Sequence, residues 1–168
     1  MPSKHTFAIK PIQELLIEEV TSGIWLNPFS GLTNVKEFVS EEVQIISNDL
    51  NPEFDSDFHL DALDFLNRFD KDSIDGVLFD PVYSPRQLSE CYKSVGLSVT
   101  KETTQSSFWS NLKDSISSLI KLGGKVITCG WNSNGIGKTR GFALRRLLIV
   151  PHGGNHNDTL VTVEIKIN

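Results

Sequence analysis

The sequence has few of the residues from which disulfide frameworks, metal sites and membrane spans are built. Its 168 residues include only two cysteines, Cys91 and Cys129, which are too few for a disulfide framework and too far apart for a zinc-ligand pair. No run approaches the roughly 18 uninterrupted apolar residues of a membrane-spanning helix, and the first residues lack the apolar core of a signal peptide. We therefore expect one cytoplasmic domain over residues 1–168, with no membrane partner.

Positive charge is also scarce. The chain has 16 lysines and arginines against 21 acidic residues, which gives a net charge of -5. This charge argues against nucleic-acid binding, because nucleic-acid-binding proteins gain affinity by neutralising phosphates with lysine and arginine. The imbalance is uneven, because most carboxylates precede Asp80. A basic face that binds phosphates is therefore still compatible with the last third of the chain, which contains Lys121, Lys125, Lys138, Arg140, Arg145 and Arg146.

Two segments resemble ligand motifs without meeting their requirements. The segment from Gly135 to Thr139 ends like a phosphate-binding P-loop, but the glycine that this loop needs five places before Gly137 is replaced by Asn132. His152 and His156 lie in a Gly/Asn-rich segment with too few acidic or cysteine companions for a metal site, which favours a solvated turn. We expect no metal site.

Apolar periodicity predicts an α/β protein. Helical spacing covers residues 12–20, 60–69 and 107–122, and strand-like runs cover 24–26, 42–47, 74–79, 125–129, 143–150 and 160–167. The alternation predicts a doubly wound, mainly parallel sheet with an antiparallel C-terminal strand pair. Residues 85–105 carry no clear element and are interpreted as a lid or binding loop.

In such sheets, ligands bind beyond the carboxyl ends of the strands, where residues 27–31, 48–52 and 80–84 form polar loops. The last loop begins Asp80-Pro81-Val82-Tyr83. A carboxylate and a proline-fixed carbonyl can accept the hydrogens of a nucleobase amine, a poor nucleophile, and an aromatic ring can stack on an extruded base. An ordinary β-turn is the competing interpretation.

These residues resemble the catalytic motif Asp-Pro-Pro-Tyr of the adenine-specific DNA methyltransferases, amino-group methylases of the class I S-adenosylmethionine-dependent group. Val82 stands where the family has its second proline. The loop from Asn27 to Gly31 is similar to the family's cofactor loop Asp-Pro-Phe-Xaa-Gly, with Asn27 in place of the acid. The resemblance runs from Pro11 to Ile167.

The resemblance implies a Rossmann-like sheet of seven strands, S-adenosyl-L-methionine as cofactor, and DNA as partner. Asp80 and Pro81 would hold the adenine amine and Tyr83 would stack on the base. Asp49 would accept the ribose hydroxyls of the cofactor, and Asp61 and Ala62 would bind its adenine, with Asp64 as the competing acid and a helix N-terminal role as the alternative. The implied cofactor set is Pro11, Asn27, Pro28, Phe29, Gly31, Asp49, Leu50, Asp61, Ala62 and Asp80, and the implied substrate set is Val82, Ser84, Arg86, Trp131, Lys138 and Arg140.

Two other functions stay open. Asn27, Val82 and the acidic balance favour a degenerate or partner-dependent cofactor-binding module. The lack of a sizeable target-recognition segment favours a methyltransferase that acts on RNA or a small molecule. The same lack leaves room for a homodimer or a separate specificity subunit.

Overall fold

The computed structural model describes residues 5–82, 85–96, 106–154 and 157–168. Three short 3-10 turns occur at Thr6–Ala8, Val35–Glu37 and Lys138–Arg140. The helices and strands are α1 (Lys10–Glu19), β1 (Gly23–Asn27), β2 (Val43–Ser47), α2 (Ala62–Leu66), β3 (Ile74–Phe79), α3 (Pro85–Ser94), α4 (Ser106–Leu119), β4 (Ile120–Gly130), β5 (Phe142–Val150) and β6 (Thr159–Lys166). Among these described helices, none is long and apolar enough to cross a membrane.

The strands form one sheet in the order β2-β1-β3-β4-β6-β5. The pairs β2–β1, β1–β3 and β3–β4 are parallel, whereas β6 runs antiparallel to both β4 and β5. The predicted α/β class and the antiparallel C-terminal pair are thus confirmed, and each of the six strand-like runs in the sequence coincides with a strand.

Over the described residues the sheet has six strands, where the resemblance implied seven. Beyond β2, the next neighbour is a single parallel bridge between Asn48 and Phe58. The residues that lead to this bridge include Pro52 and several Asp, Asn and Ser residues. Such residues disfavour an extended ladder, which explains why the bridge does not grow into a strand.

Helices cover both faces of the sheet, and the apolar side chains alternate accordingly. Along β3, Val77 and Phe79 belong to the core that contains α2 and α4, whereas Leu78 belongs to the core that contains α1. Side chains on successive strand residues point to opposite faces, so one short strand contributes to both cores. The carboxyl ends of β1, β2 and β3 are therefore held from both sides.

The end of α4 differs from the sequence-based prediction. The helix stops at Leu119 rather than residue 122, and Gly123 and Gly124 lie inside β4 instead of ending the helix. They occupy an irregularity in the β3–β4 ladder, where a Cβ on Gly124 would lie 2.9 Å from the Asp75 carbonyl oxygen. Glycine serves helix ends and β-bulges alike, so the local pattern was ambiguous.

The segment 85–105 also differs from the prediction, because its first part is the helix α3. The lid or binding loop predicted for residues 97–105 lies outside the described residues. Leu88 and Tyr92 are buried on the inner side of α3, four residues apart, which is the spacing that places two side chains on one helix face. This helix therefore packs onto the domain and contributes a wall to the site described next.

Candidate functional site

A cavity of about 430 Å³ lies at the carboxyl ends of β1, β2 and β3. This volume is within the usual range of small-molecule sites. The structure brings most of the predicted cofactor residues together in its wall, namely Pro28, Phe29, Gly31, Asp49, Leu50, Asp61, Ala62 and Asp80, together with the predicted substrate residue Val82.

Asn48, in the loop after β2, binds both the loop after β1 and the segment before α2. Its side-chain amide donates to the carbonyl oxygens of Pro28 at 3.2 Å and Leu60 at 3.0 Å, and its Oδ1 accepts the N–H of Leu60 at 2.9 Å. Its backbone N–H also donates to the Asn27 carbonyl at 2.8 Å. Asn48 is not among the predicted site residues, although an asparagine directly after a strand is the sequence signal that could have indicated this role.

Asp49 connects the loop after β2 to the loop after β1. Its Oδ2 accepts the N–H of Gly31 at 2.9 Å, and its Oδ1 accepts the N–H of Asn51 at the same distance. Burial raises the pKa of Asp49, and the two N–H bonds and nearby His59 only partly offset that effect. The carboxylate is therefore a partly desolvated acceptor at the cavity wall.

Gly31 and Ser30 give the first loop its shape. Gly31 has a φ of +59°, a left-handed conformation that glycine adopts without a Cβ clash. Ser30 is only 5% exposed, and within the described residues its hydroxyl has no hydrogen-bond partner. A buried, unpaired hydroxyl in a cavity wall is costly unless a ligand or water satisfies it.

Asp61 has two partners within the protein. It is the N-cap of α2, where Oδ1 accepts the N–H of Leu63 at 2.9 Å, and its Oδ2 accepts the hydroxyl of Tyr92 on α3. The alternative helix N-terminal role is therefore observed, and the carboxylate lies in the cavity wall as well. Asp64, the competing acid, is exposed and lies outside that wall.

The loop after β3 brings one of the predicted catalytic residues, Asp80, into the described wall of the cavity. Asp80 is 9% exposed, and the following Pro81 is buried and is not in that wall. The carbonyl oxygen of Val82 accepts a hydrogen bond from the indole Nε1 of Trp109 at 3.0 Å. Tyr83 and Ser84, assigned to base stacking and substrate binding, lie outside the described residues.

The remaining predicted residues are not in the described wall of the cavity. Pro11 is exposed in the first turn of α1, and the side chain of Asn27 is buried with no partner for Oδ1 among the described residues. Arg86, which is exposed, pairs on α3 with Glu90, a residue of the cavity wall. Trp131 and Lys138 belong to the β4–β5 connection, as does Arg140.

The basic residues of the last third are largely engaged within the protein. Arg140 pairs with Asp114 at 2.5 Å and donates to Ser110 at 2.9 Å. Four of the six basic residues named above are ion-paired, since Arg146 pairs with Glu18 and Glu19, Lys121 with Asp75, and Lys125 with Glu19. Intramolecular pairing reduces the positive charge that this region offers to phosphates.

Two parts of the cavity wall lie outside the three predicted polar loops. Thr6 and Phe7 line the cavity from the turn before α1. The helix α3 contributes the part of the wall that includes Leu88, Cys91 and Tyr92. No local motif marks these positions, because they reach the cavity through the packing of elements distant in sequence. The amphipathic spacing of Leu88 and Tyr92 was the available signal.

The described wall of the cavity is acidic. It contains Asp49, Asp61, Asp80 and Glu90 and includes neither lysine nor arginine. Such a lining favours a ligand with positive charge and disfavours a phosphate group. Within the described ranges, no group of three or more His, Cys, Asp or Glu side chains is arranged to hold a metal ion.

Comparison with solved structures identifies the class of fold. The chain superposes on TrmN from Thermus thermophilus with a TM-score of 0.59 at 18% identity, over 92% of this chain and 48% of that one. It matches a Burkholderia thailandensis 1,6-didemethyltoxoflavin-N1-methyltransferase, a complex with S-adenosylhomocysteine, with a TM-score of 0.63 at 12% identity over 96% and 79%. It matches an rRNA methylase from Streptococcus thermophilus with a TM-score of 0.60 at 13% identity over 95% and 97%.

The chain therefore has the Rossmann-like fold of S-adenosylmethionine-dependent methyltransferases. It spans about half the length of the Thermus thermophilus protein. No protein-family model matches the sequence, and no curated protein matches it either.

Proposed function

We propose that this protein is an S-adenosylmethionine-dependent methyltransferase that methylates the exocyclic amine of adenine in DNA. The observation that carries the proposal is the convergence of Asp49, Asp61 and Asp80 on one cavity at the strand ends of a methyltransferase fold. Each of the three acids has a distinct task in this proposal.

The cavity fits the proposed cofactor. S-Adenosylmethionine carries a sulfonium and an ammonium group, which the acidic lining would stabilise. Asp49 offers a partly desolvated carboxylate to the ribose hydroxyls, and Asp61 offers its remaining lone pairs to the adenine amine beside the Ala62 backbone. The Ser30 hydroxyl, which has no partner in the described parts of the chain, and the glycine at position 31 lie where the loop after β1 would meet the methionine part.

Asp80 and Pro81 would prepare the acceptor amine. The nitrogen lone pair of an exocyclic amine is delocalised into the ring, and hydrogen bonds from its N–H groups to the Asp80 carboxylate and the Pro81 carbonyl draw it toward a tetrahedral geometry. The bound cofactor supplies an activated methyl group, so no covalent enzyme intermediate is needed. The residues of this chain contribute by positioning the amine and by holding its hydrogens.

RNA is the second candidate substrate class. The Streptococcus thermophilus structure, described as an rRNA methylase, is covered over 97% of its length, and the described part of this chain has no separate recognition domain. The intramolecular pairing of Arg140 and Arg146 weakens the case for a long duplex contact. DNA is favoured by the Asp80-Pro81-Val82-Tyr83 motif.

One experiment tests both the cofactor and the substrate of this proposal. Transfer of labelled methyl from S-adenosylmethionine is measured on unmethylated single-stranded DNA, double-stranded DNA and RNA, and calorimetry measures cofactor binding on the same sample. We expect label on adenine in DNA. If only RNA is labelled, RNA replaces DNA as the proposed substrate. Cofactor binding without methyl transfer would point to a partner-dependent module, and no cofactor binding would refute the proposal.

A pair of variants assigns the catalytic role. Asp80→Asn should abolish methyl transfer while cofactor binding remains measurable, because in this proposal Asp80 holds the amine and is only one of several acids in the lining. Asp64→Asn is the matched control, since Asp64 is an exposed acid outside the cavity wall. Equal activity of Asp80→Asn and the unmodified protein would remove Asp80 from catalysis.

A further inference from the structure

The backbone after β3 is held by a hydrogen bond at the position where the resemblance implies a proline. The resemblance places a second proline at position 82, where this chain has valine, and proline restricts φ whereas valine does not. The carbonyl oxygen of Val82 accepts a hydrogen bond from the indole N–H of Trp109, which is 27 residues away. The loop is therefore fixed by a side chain from another element.

Trp109 is well placed to act as an anchor. It lies in the first turn of α4, whose residues Leu112 and Ile116 are fully buried in the core. Its ring meets that of Phe108 edge to face, with centroids 5.5 Å apart and an interplanar angle of 90°. Phe108 itself lines the cavity. The indole is thus held by a rigid helix and by a neighbouring ring.

The opposite end of the loop is also fixed. Phe79 is the last residue of β3 and pairs with Thr128 in the β3–β4 ladder. Between this ladder and the Trp109 hydrogen bond lie Asp80, Pro81 and Val82, and proline limits the φ of the central residue. Few backbone torsions are left free between two anchored points.

We propose that Trp109 is a positioning residue, which holds the Val82 peptide so that the Asp80 carboxylate and the Pro81 carbonyl keep their geometry toward the acceptor amine. The kinetic part of this inference rests on the proposed function. The structural part, a restraint on the loop, does not. An indole N–H, a neutral donor, restrains the carbonyl without placing a charge beside the amine site.

The test removes the donor and keeps an aromatic ring. Trp109→Phe should lower kcat about fivefold, the effect of one hydrogen bond, while KM and the cofactor Kd stay within about twofold. Replacement of Trp109 by benzothienylalanine, which has the shape of tryptophan without its N–H, should give the same result. This second variant tests the inference even if Trp109→Phe does not fold.

A matched control separates positioning from general loss of stability. Trp25 makes a similar bond, from its indole N–H to the Ser22 carbonyl at 3.0 Å, and lies in the other core, outside the described cavity wall. Trp25→Phe should lower the melting temperature and leave kcat unchanged. An equal fall in kcat in both variants would overturn the inference.

A readout that does not require activity completes the test. The backbone amides of Asp80 and Val82 should show lower ¹⁵N order parameters in Trp109→Phe than in the unmodified protein, and the same amides should not change in Trp25→Phe. Unchanged order parameters in Trp109→Phe would overturn the restraint. Absence of methyl transfer from every substrate, with the expected change in order parameters, would refute the proposed function and leave the restraint supported.

Discussion

The cofactor role of Asp49 leads to a prediction whose size can be worked out from two bonds. In Asp49→Asn, one carboxylate oxygen becomes an amide nitrogen, so either the N–H of Gly31 or the N–H of Asn51 loses its acceptor. A hydrogen bond to a charged group contributes about 1.5–3 kcal/mol, and release of a buried charge offsets part of this loss. We expect the free energy of unfolding to fall by about 1–2 kcal/mol.

Cofactor affinity should fall much further than stability. An anionic acceptor for the ribose hydroxyls contributes about 2–3 kcal/mol, which corresponds to a roughly 30- to 150-fold rise in the Kd of S-adenosylmethionine. Calorimetry measures the affinity, and urea unfolding measures the stability. Asp57→Asn is the control, because Asp57 accepts the backbone N–H of Ser47 at 2.7 Å but is not in the described cavity wall.

The pH dependence gives an independent check. Because burial raises the native pKa of Asp49, this group contributes stability that is present below its unfolded value of about 3.8 and is lost as pH rises through its native pKa. Cofactor binding follows the opposite course, since it requires the charged form and weakens as pH falls through the same native pKa. An unchanged Kd in Asp49→Asn, or an equal loss in Asp57→Asn, would refute the reasoning.

Two further predictions concern the amino-terminal end of β3. Asp75→Asn should destabilise the protein by about 1 kcal/mol at pH 7 in urea unfolding, because Asp75 accepts the N–H of Ile24 and the ammonium of Lys121, both at 2.8 Å. Burial alone would raise the pKa of Asp75, but these partners lower it. The stabilisation is therefore present above about pH 3.8 and is lost as pH falls through the lowered pKa. An equal loss of unfolding free energy in Asp75→Asn at pH 7 and at pH 2 would contradict this. Gly76→Ala should lower stability by about 1–3 kcal/mol in thermal melts, because a Cβ would lie 2.3 Å from the Trp25 ring, and an unchanged melting temperature would show that the ring moves freely.

The features that sequence predicted well are local ones. β3 coincides with the apolar run at 74–79, and Asp80 follows it directly at the cavity. Asp49 is the second residue after β2 and lines the same cavity. A strand end and its next residue are fixed by neighbours in sequence, and topology brings such ends to one edge, so residue order and periodicity were sufficient.

The features that sequence missed depend on contacts between distant segments. The hydrogen bond between Tyr92 and Asp61 spans 31 residues, and the one between Trp109 and Val82 spans 27. Nothing in the residues around Tyr92 distinguishes a hydroxyl at a cavity from one at a surface. These roles follow from how α3 and α4 pack, which periodicity alone does not determine.

The connections around the cavity contain little regular structure, and this explains why so many polar side chains bind backbone groups there. Between β1 and β2 the described chain forms only a 3-10 turn, and α2 has five residues, so few helical hydrogen bonds stabilise these loops. Asn48 and Asp49 supply the missing bonds by tying the loop after β1 to the segments that follow β2. Because Asn48 and Asp49 bind the same loop, the effects of their substitutions should not be additive. Once the hydrogen bonds of one residue are lost, the other residue holds a loop that has already moved. The double variant should therefore lose less unfolding free energy than the sum of the losses in the two single variants.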